Sequence, residues 1–301
     1  MNYPKVSIVI PTYNRCNVLK RCLESILSQG YPKELLELLT LDDGSSDNTK
    51  KEIPEFFHQM EEKGIRKASF FVNEQNIGLS ACREILGKKV SIDSEYILFL
   101  DDDACLTPKC LEQLVEYITA HSDAGVVGPR IVFAKNPDLT AHFAYFVGKW
   151  TGRFTEKDSK EPIDCDWLDP VCILVRRSIV QKTGGFWRGF YRSHEGTDFC
   201  LRVKKLGYKI VYYPKTSASH DTSFKRPQKE RLYYLYRNKF LLIRRNFSSI
   251  RKIVALSLIL LFGLPKYLGV SIKFNKKIVF SELILICFSV LDGLTGKTGP
   301  R

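Results

Sequence analysis

Five apolar residues, Tyr96-Ile-Leu-Phe-Leu100, run without a break into three carboxylates, Asp101-Asp102-Asp103. An apolar run this short and this uniform suits a strand buried on both faces of a parallel sheet. Adjacent carboxylates repel one another, so leaving them uncompensated at a strand end is costly. A bound Mg²⁺ or Mn²⁺ would relieve that repulsion, because such a cation takes one or two carboxylates together with substrate phosphates. The plain alternative for an isolated Asp-x-Asp is a solvated acidic turn.

The rest of the first half supplies the sheet that this strand needs. Val6–Ile10 is apolar and is expected to stop at Pro11. Asn14 is expected to cap a helix to Gly30, because Val18, Leu19, Cys22, Leu23, Ile26 and Leu27 recur at helical spacing. Leu35–Leu41 reads as a strand that runs into a second acidic cluster, Asp42-Asp43-Gly44-Ser45-Ser46-Asp47. Gly44 permits the tight turn, and Asp47 caps the next helix. Helix over 48–62, strand over 68–72 and a helix opening at Gly78 follow, and Thr107 with Pro108 starts another to about His121. Strand and helix alternate, which is the pattern of a doubly wound, mostly parallel α/β sheet. Ligands bind such sheets outside the carboxyl ends of the strands, where both acidic clusters lie. Beyond residue 125 the alternation is less regular. Strands are expected over 126–133, 171–176 and 208–213, and a helix over 195–206.

Charge divides the chain. The 46 Lys and Arg exceed the 33 Asp and Glu by 13. Residues 1–224 hold 30 of each sign, whereas residues 225–277 hold 14 basic residues and the single acid Glu230. Aromatic and basic residues interleave from Arg231 to Lys239, and two uncharged runs follow, Ile253–Pro265 and Leu283–Leu291. Neither reaches the roughly 20 residues of a spanning helix, although Ile253–Ile272 does if Lys266 is tolerated. Flanking Arg244, Arg245, Arg251, Lys252, Lys273, Lys276 and Lys277 fit a helix pair lying on an anionic membrane face. A helical subdomain packed on the core is the ordinary alternative, and RNA stacking on 225–245 a third. No nucleic-acid signature accompanies that stretch, so no nucleic-acid partner is expected. The nine cysteines lack paired spacing and read as reduced thiols. With no leader evident before the first strand, the bulk of the chain is expected on the cytoplasmic side, peripheral or monotopic.

Val6-Ser-Ile-Val-Ile-Pro-Thr-Tyr-Asn14, Leu41-Asp-Asp-Gly-Ser-Ser-Asp47, Asn76-Ile-Gly78 with Arg83, Phe99-Leu-Asp-Asp-Asp103 with Pro108, and Gly184-Gly-Phe186 before Glu195-Gly-Thr-Asp198-Phe-Cys-Leu-Arg202 together resemble glycosyltransferase family 2, with the GT-A fold. The order and spacing agree over about residues 5–220.

The resemblance implies an inverting transfer of one sugar from a nucleotide-diphosphate donor, UDP-linked by default, to a lipid-linked or glycan acceptor. It places Pro11, Tyr13, Asp42, Asp43, Arg83 and Asp102 at the donor, and Asp101 and Asp103 on the Mg or Mn ion, with His220 beside it. It implies a catalytic domain over 1–224 and a membrane-associating region over 225–301. The family usually has Glu-Asp where this chain has Glu195-Gly196, so the base falls to Glu195 or Asp198. Asp198 also stands one turn before Arg202, as in a helical ion pair. A degenerate base position leaves open a non-catalytic nucleotide-sugar binder. Trp187-Arg188 departs from the family's usual acidic pair on the acceptor side. Trp150, Trp167 and Trp187 could stack on sugars, with core packing the reading for Trp167.

Overall fold

The computed structural model describes residues 3–222, 228–263 and 280–300. Lys266, Lys273, Lys276 and Lys277 lie outside them. The first half alternates as the sequence predicts: β1 (Val6–Thr12), α1 (Cys16–Leu27), β2 (Leu36–Asp42), α2 (Thr49–Glu62), β3 (Lys67–Val72), α3 (Leu79–Lys89) and β4 (Tyr96–Leu100). Strands β4, β1, β2 and β3 lie side by side in parallel. Every residue of β1, β2 and β4 is buried, which accounts for their unbroken apolar runs.

Pro11 does not end β1. The strand continues to Thr12, opposite Asp42 of β2. Its ladder with β4 has already ended at Val9, so the missing proline N–H falls where only one neighbour pairs. Asn14 does not cap α1 either. It adopts φ 53° and ties two loops together, with its Oδ1 accepting from Ser46 N at 2.7 Å. Asp47 does the capping, accepting from Cys16 N and Thr49 N at 3.0 Å each and so serving α1 and α2.

The second half adds β5 (Ala104–Leu106), α4 (Cys110–Ala120), β6 (Ala124–Phe133), β7 (Asn136–His142), β8 (Ala144–Val147), β9 (Phe154–Lys157), β10 (Ile163–Cys165), β11 (Cys172–Arg176), α5 (Arg177–Thr183), α6 (Glu195–Lys205) and β12 (Lys209–His220). Thr107 does not cap α4 with its side chain; Oγ1 donates to Ser217 O at 2.5 Å. Strand β11 runs antiparallel to β4 and β6, and the sheet reads β10-β12-β6-β11-β4-β1-β2-β3. Pairing of β12 with β5 places His220 opposite Ala104, directly after Asp103. The carboxyl ends of β1, β2 and β4 and the end of β12 therefore meet at one edge.

Among the described residues of the C-terminal part lie α7 (Gln228–Asn246), α8 (Ser249–Leu258) and α9 (Phe280–Thr295). Among the described residues no helix is long and apolar enough to cross a membrane. Within the basic, aromatic stretch, Tyr233, Tyr234, Arg237 and Asn238 are buried rather than exposed. Phe190 packs on Leu241 and Leu242, and Tyr191 on Tyr233, Tyr234 and Leu285. Helix α9 crosses α7 at Gly293, where a Cβ would stand 2.6 Å from Arg237 O. Arg237 donates to Phe190 O at 2.8 Å and to Gly299 O at 2.5 Å. Its replacement by Leu removes the donor to the half-buried Gly299 O and one of the two donors to Phe190 O, which keeps Asn238, at a cost of about 1–3 kcal/mol. Thermal unfolding of Arg237→Leu should therefore show Tm lower by several degrees, and an unchanged Tm would show that the clamp contributes nothing.

Candidate active site

The site is built around Arg83, which α3 carries into the protein with 1% of its surface exposed. Its guanidinium bonds Glu195 Oε1 at 2.8 Å, Pro170 O at 3.1 Å and, most closely, Asp101 Oδ1. Burial opposes its charge, but the two carboxylates outweigh that and raise its proton affinity. One cation thus fixes the first residue of α6 beside the end of β4.

Asp102 and Asp103 are held from the other side. Arg15, at the start of α1, donates from Nη1 to Asp102 Oδ1 at 2.8 Å and to Asp103 Oδ2 at 2.5 Å. Thr12 Oγ1 donates to Asp102 Oδ2 at 2.8 Å. Burial pushes the Asp102 carboxyl up to about 6 despite Arg15. Burial also opposes ionisation of Asp103, but the His220 ring and Arg15 prevail and hold its carboxyl below the usual range. His220 Nε2 lies 3.3 Å from Asp103 Oδ1, yet that oxygen is buried and makes no hydrogen bond of good geometry. One ligand atom from each of Asp101, Asp103 and His220 falls within 4.8 Å of the others. Carboxylate oxygens with one imidazole, one oxygen lacking a hydrogen bond, fit a divalent cation such as Mg²⁺ or Mn²⁺.

A cleft of about 510 Å³ opens between the first two strand ends, lined by Pro11, Tyr13, Asp43, Gly78, Asp102 and Tyr191, among others. Tyr13 is 45% exposed, a free aromatic face at the mouth. Asp43 accepts from Asn73 Nδ2, Ile77 N and Gly78 N, each at 2.9 Å, so it shapes the cleft wall. Asp42 is fully buried; Oδ1 accepts from Ser45 N at 3.0 Å, and among the described residues Oδ2 has no partner. Gly78 has φ +91°, and a Cβ there would stand 2.2 Å from the Tyr191 ring. The close approach of that ring therefore requires glycine.

Of the two candidate bases, only Glu195 faces the cluster. It is 5% exposed, and among the described residues its Oε2 has no hydrogen-bond partner. Burial raises its carboxyl above the usual range, against the pull of Arg83. Asp198 is fully buried and committed elsewhere, accepting from Arg202 Nε at 2.9 Å, Arg245 Nε at 3.1 Å and Asn246 Nδ2 at 2.7 Å. It therefore docks α7 onto α6, in addition to the expected pair with Arg202. At Gly196 a Cβ would meet Pro170 Cδ at 2.5 Å, so the local packing excludes a side chain there.

Arg15, His142 and Asp169 were not legible as site residues. His142 bridges His220 and Asp169, with ring-nitrogen contacts of 3.1 Å to each. Arg15 directly follows the Pro-Thr-Tyr-Asn14 motif, and that adjacency is the signal that could have found it. The loop before Glu195 is strained, with Tyr191, Ser193 and His194 at φ 64–66°. Asn238 of α7 holds it by donating to Phe190 O at 3.0 Å and Ser193 O at 2.8 Å.

Residues 7–184 match the family described as Glycosyl transferase family 2, and residues 96–294 match Glycosyl transferase family group 2. Over 268 residues the chain is 27% identical to Glycosyltransferase AglE of Haloferax volcanii, covering 87% of this chain and 82% of that one. It is 28% identical to the GalNAc(5)-diNAcBac-PP-undecaprenol beta-1,3-glucosyltransferase of Campylobacter jejuni, covering 70% of this chain and 63% of that one. Several other curated relatives are longer, and the chain spans less than half of their length. A crystal structure of S. aureus TarS 1-349 in complex with UDP-GlcNAc superposes with TM-score 0.66 at 18% identity, over 97% of this chain and 81% of that one.

Proposed function

Because this chain belongs to glycosyl transferase family 2 and is a glycosyltransferase, we propose that it moves a single sugar, with inversion, from a nucleotide-diphosphate donor to a membrane-linked acceptor. The observation that carries this reading is Arg83, which bonds Asp101 and Glu195 at once. It sets a buried carboxylate, with one oxygen unpartnered, against the cluster suited to a cation and diphosphate. Binding of a UDP-sugar by TarS supports a UDP-linked donor as the default.

Pro11 and Tyr13 would flank the base of the donor in the cleft. Asp101, Asp103 and His220 would hold the divalent cation, which when bound supplies Lewis-acid neutralisation of the leaving diphosphate. Glu195 Oε2 takes the proton of the acceptor hydroxyl as general base. The acceptor oxygen then bonds the anomeric carbon from the face opposite the departing diphosphate, and that displacement inverts the configuration. Arg83 keeps Glu195 oriented throughout. A donor screen with Mg²⁺ or Mn²⁺, reading nucleotide release with a membrane lipid extract as acceptor, tests the reading.

Residues 225–301 would bring the enzyme to a lipid-held acceptor. Ile250, Ile253, Leu261 and Phe262 are each about two-thirds exposed, and Phe288 and Leu291 are half exposed. Trp150 is half exposed beneath the Arg251 guanidinium, 5.3 Å from its ring centroid. Its turn packs on α7, since a Cβ at Gly152 would stand 3.0 Å from Ile243 Cδ1. Exposed apolar side chains with Arg251 and Lys252 on the same helix as Ile250 and Ile253 fit an anionic bilayer surface. Burying two such apolar side chains contributes about 1.5–3 kcal/mol each. Leu261→Asp with Phe262→Asp should therefore weaken co-sedimentation with phosphatidylglycerol vesicles at least about tenfold. Equal sedimentation of variant and wild type would refute this docking face.

A further inference from the structure

Lys239 of α7 occupies a position that the donor reading does not use. Its Nζ lies 3.1 Å from the centroid of the Phe154 ring. Among the described residues it makes no ion pair and no hydrogen bond. The side chain is half-buried, and burial alone, with no counter-charge to oppose it, lowers its proton affinity below the usual lysine range. A desolvated ammonium without an anion is costly unless one arrives with a ligand. The cation–π contact with Phe154 compensates in part.

The surroundings place this ammonium next to the residue that precedes Glu195. His194 meets the same Phe154 ring edge-on at 5.5 Å, and it immediately precedes Glu195. Its Nε2 contacts Leu235 O, one turn before Lys239 on α7. The field of Lys239 is felt at His194, where it adds to burial in disfavouring the charged ring. By contrast, Lys239 does not line the cleft between the first two strand ends. Phe154 continues an aromatic wall: Trp167 lies 5.4 Å from it and stacks on Tyr145 at 4.2 Å and 14°. Trp167 is half-buried and packs against the core, as its sequence reading favours, and among the described residues its buried Nε1 has no partner.

We propose that Lys239, laid across Phe154 beside His194, the residue before Glu195, receives an anionic group of the acceptor, a phosphate or a carboxylate. This rests on the reading of Glu195 as the base, and it narrows the acceptor to an anionic saccharide.

The probes are glucose 1-phosphate, glucuronate and uncharged glucose, added to full-length protein with excess UDP and Mg²⁺ to occupy the donor cleft. The Lys239 side-chain ammonium resonance, assigned by its absence in Lys239→Met, reports contact, and calorimetry reports affinity. The expected result is a shift of that resonance with one or both anions and none with glucose. Lys239→Met should weaken the anion at least about tenfold, and Lys239→Arg should restore most of that loss. The two anions separate a phosphate acceptor from a carboxylate one. An unmoved resonance, an equal shift with glucose, or equal anion affinity in Lys239→Met overturns the proposal. Equal melting temperatures of the variants exclude a folding artefact as the cause of weaker binding. UDP binding to the wild type is read separately, so failure of the donor reading is distinguishable from failure at Lys239.

Discussion

Replacing Glu195 by Gln lowers the rate of sugar transfer by about 10³, within the range for loss of a positioned general base. Gln keeps the shape and an acceptor oxygen for Arg83 Nη1, so donor affinity should change little. The loss should then fall on kcat and on kcat/KM together, the mark of an interaction made in the transition state. The sign of the pH dependence follows from burial, which raises the Glu195 carboxyl above its ordinary range. A base works only when ionised, so kcat/KM falls as pH drops through that raised value. The acid limb should therefore lie above the ordinary glutamate pKa of about 4.3. Restoring the usual acidic residue by Gly196→Asp should not rescue Glu195→Gln. Its Cβ would meet Pro170 Cδ at 2.5 Å, and relieving that contact shifts the residues between Trp167 and β11. An unaltered rate in Glu195→Gln would assign the proton transfer to another group.

Asp103→Asn carries the second large effect. It removes one anionic oxygen pair from the Asp101–Asp103–His220 set without changing its outline. Neutralising the leaving diphosphate is worth several kcal/mol of transition-state charge, so metal-stimulated donor turnover should drop by about 10³. Titration with Mn²⁺ should show weakened cation binding in the same variant. The fold should persist, because Arg15 keeps Asp102 as a partner and the repulsion among three neighbouring carboxylates is relieved. Retained Mn²⁺ affinity with full activity would place the cation elsewhere.

What was legible in the sequence follows from burial. Strands β1, β2 and β4 are buried on both faces, so their apolar runs stand out, and each ends at residues that build the site. Strands β7 and β9 are exposed or half-exposed at every position, and β5 and β10 have only three residues each. Neither kind offers a period to read. Pro11 was misleading because its effect depends on which neighbour pairs beyond Val9, a property of the sheet and not of the segment. Asp101, Asp103 and His220 were legible as a set because motifs mark both segments. Arg15 and Asp102 lie 87 residues apart, and His142 and His220 lie 78 apart, so only folding brings each pair together. The basic stretch was legible as charge, but charge alone does not tell Arg237, buried under a loop, from Arg251, exposed beside Trp150.

Turnover is assigned to the Asp101–Arg83–Glu195 constellation. Its most direct test is nucleotide release across a panel of nucleotide-sugar donors, with a membrane lipid extract as acceptor and with Mg²⁺, Mn²⁺ or chelator. At least one donor should release its nucleotide in a cation-dependent reaction that chelator abolishes and Glu195→Gln nearly eliminates. Wild-type protein that binds nucleotide and cation yet turns over no donor in the presence of the extract would contradict that assignment.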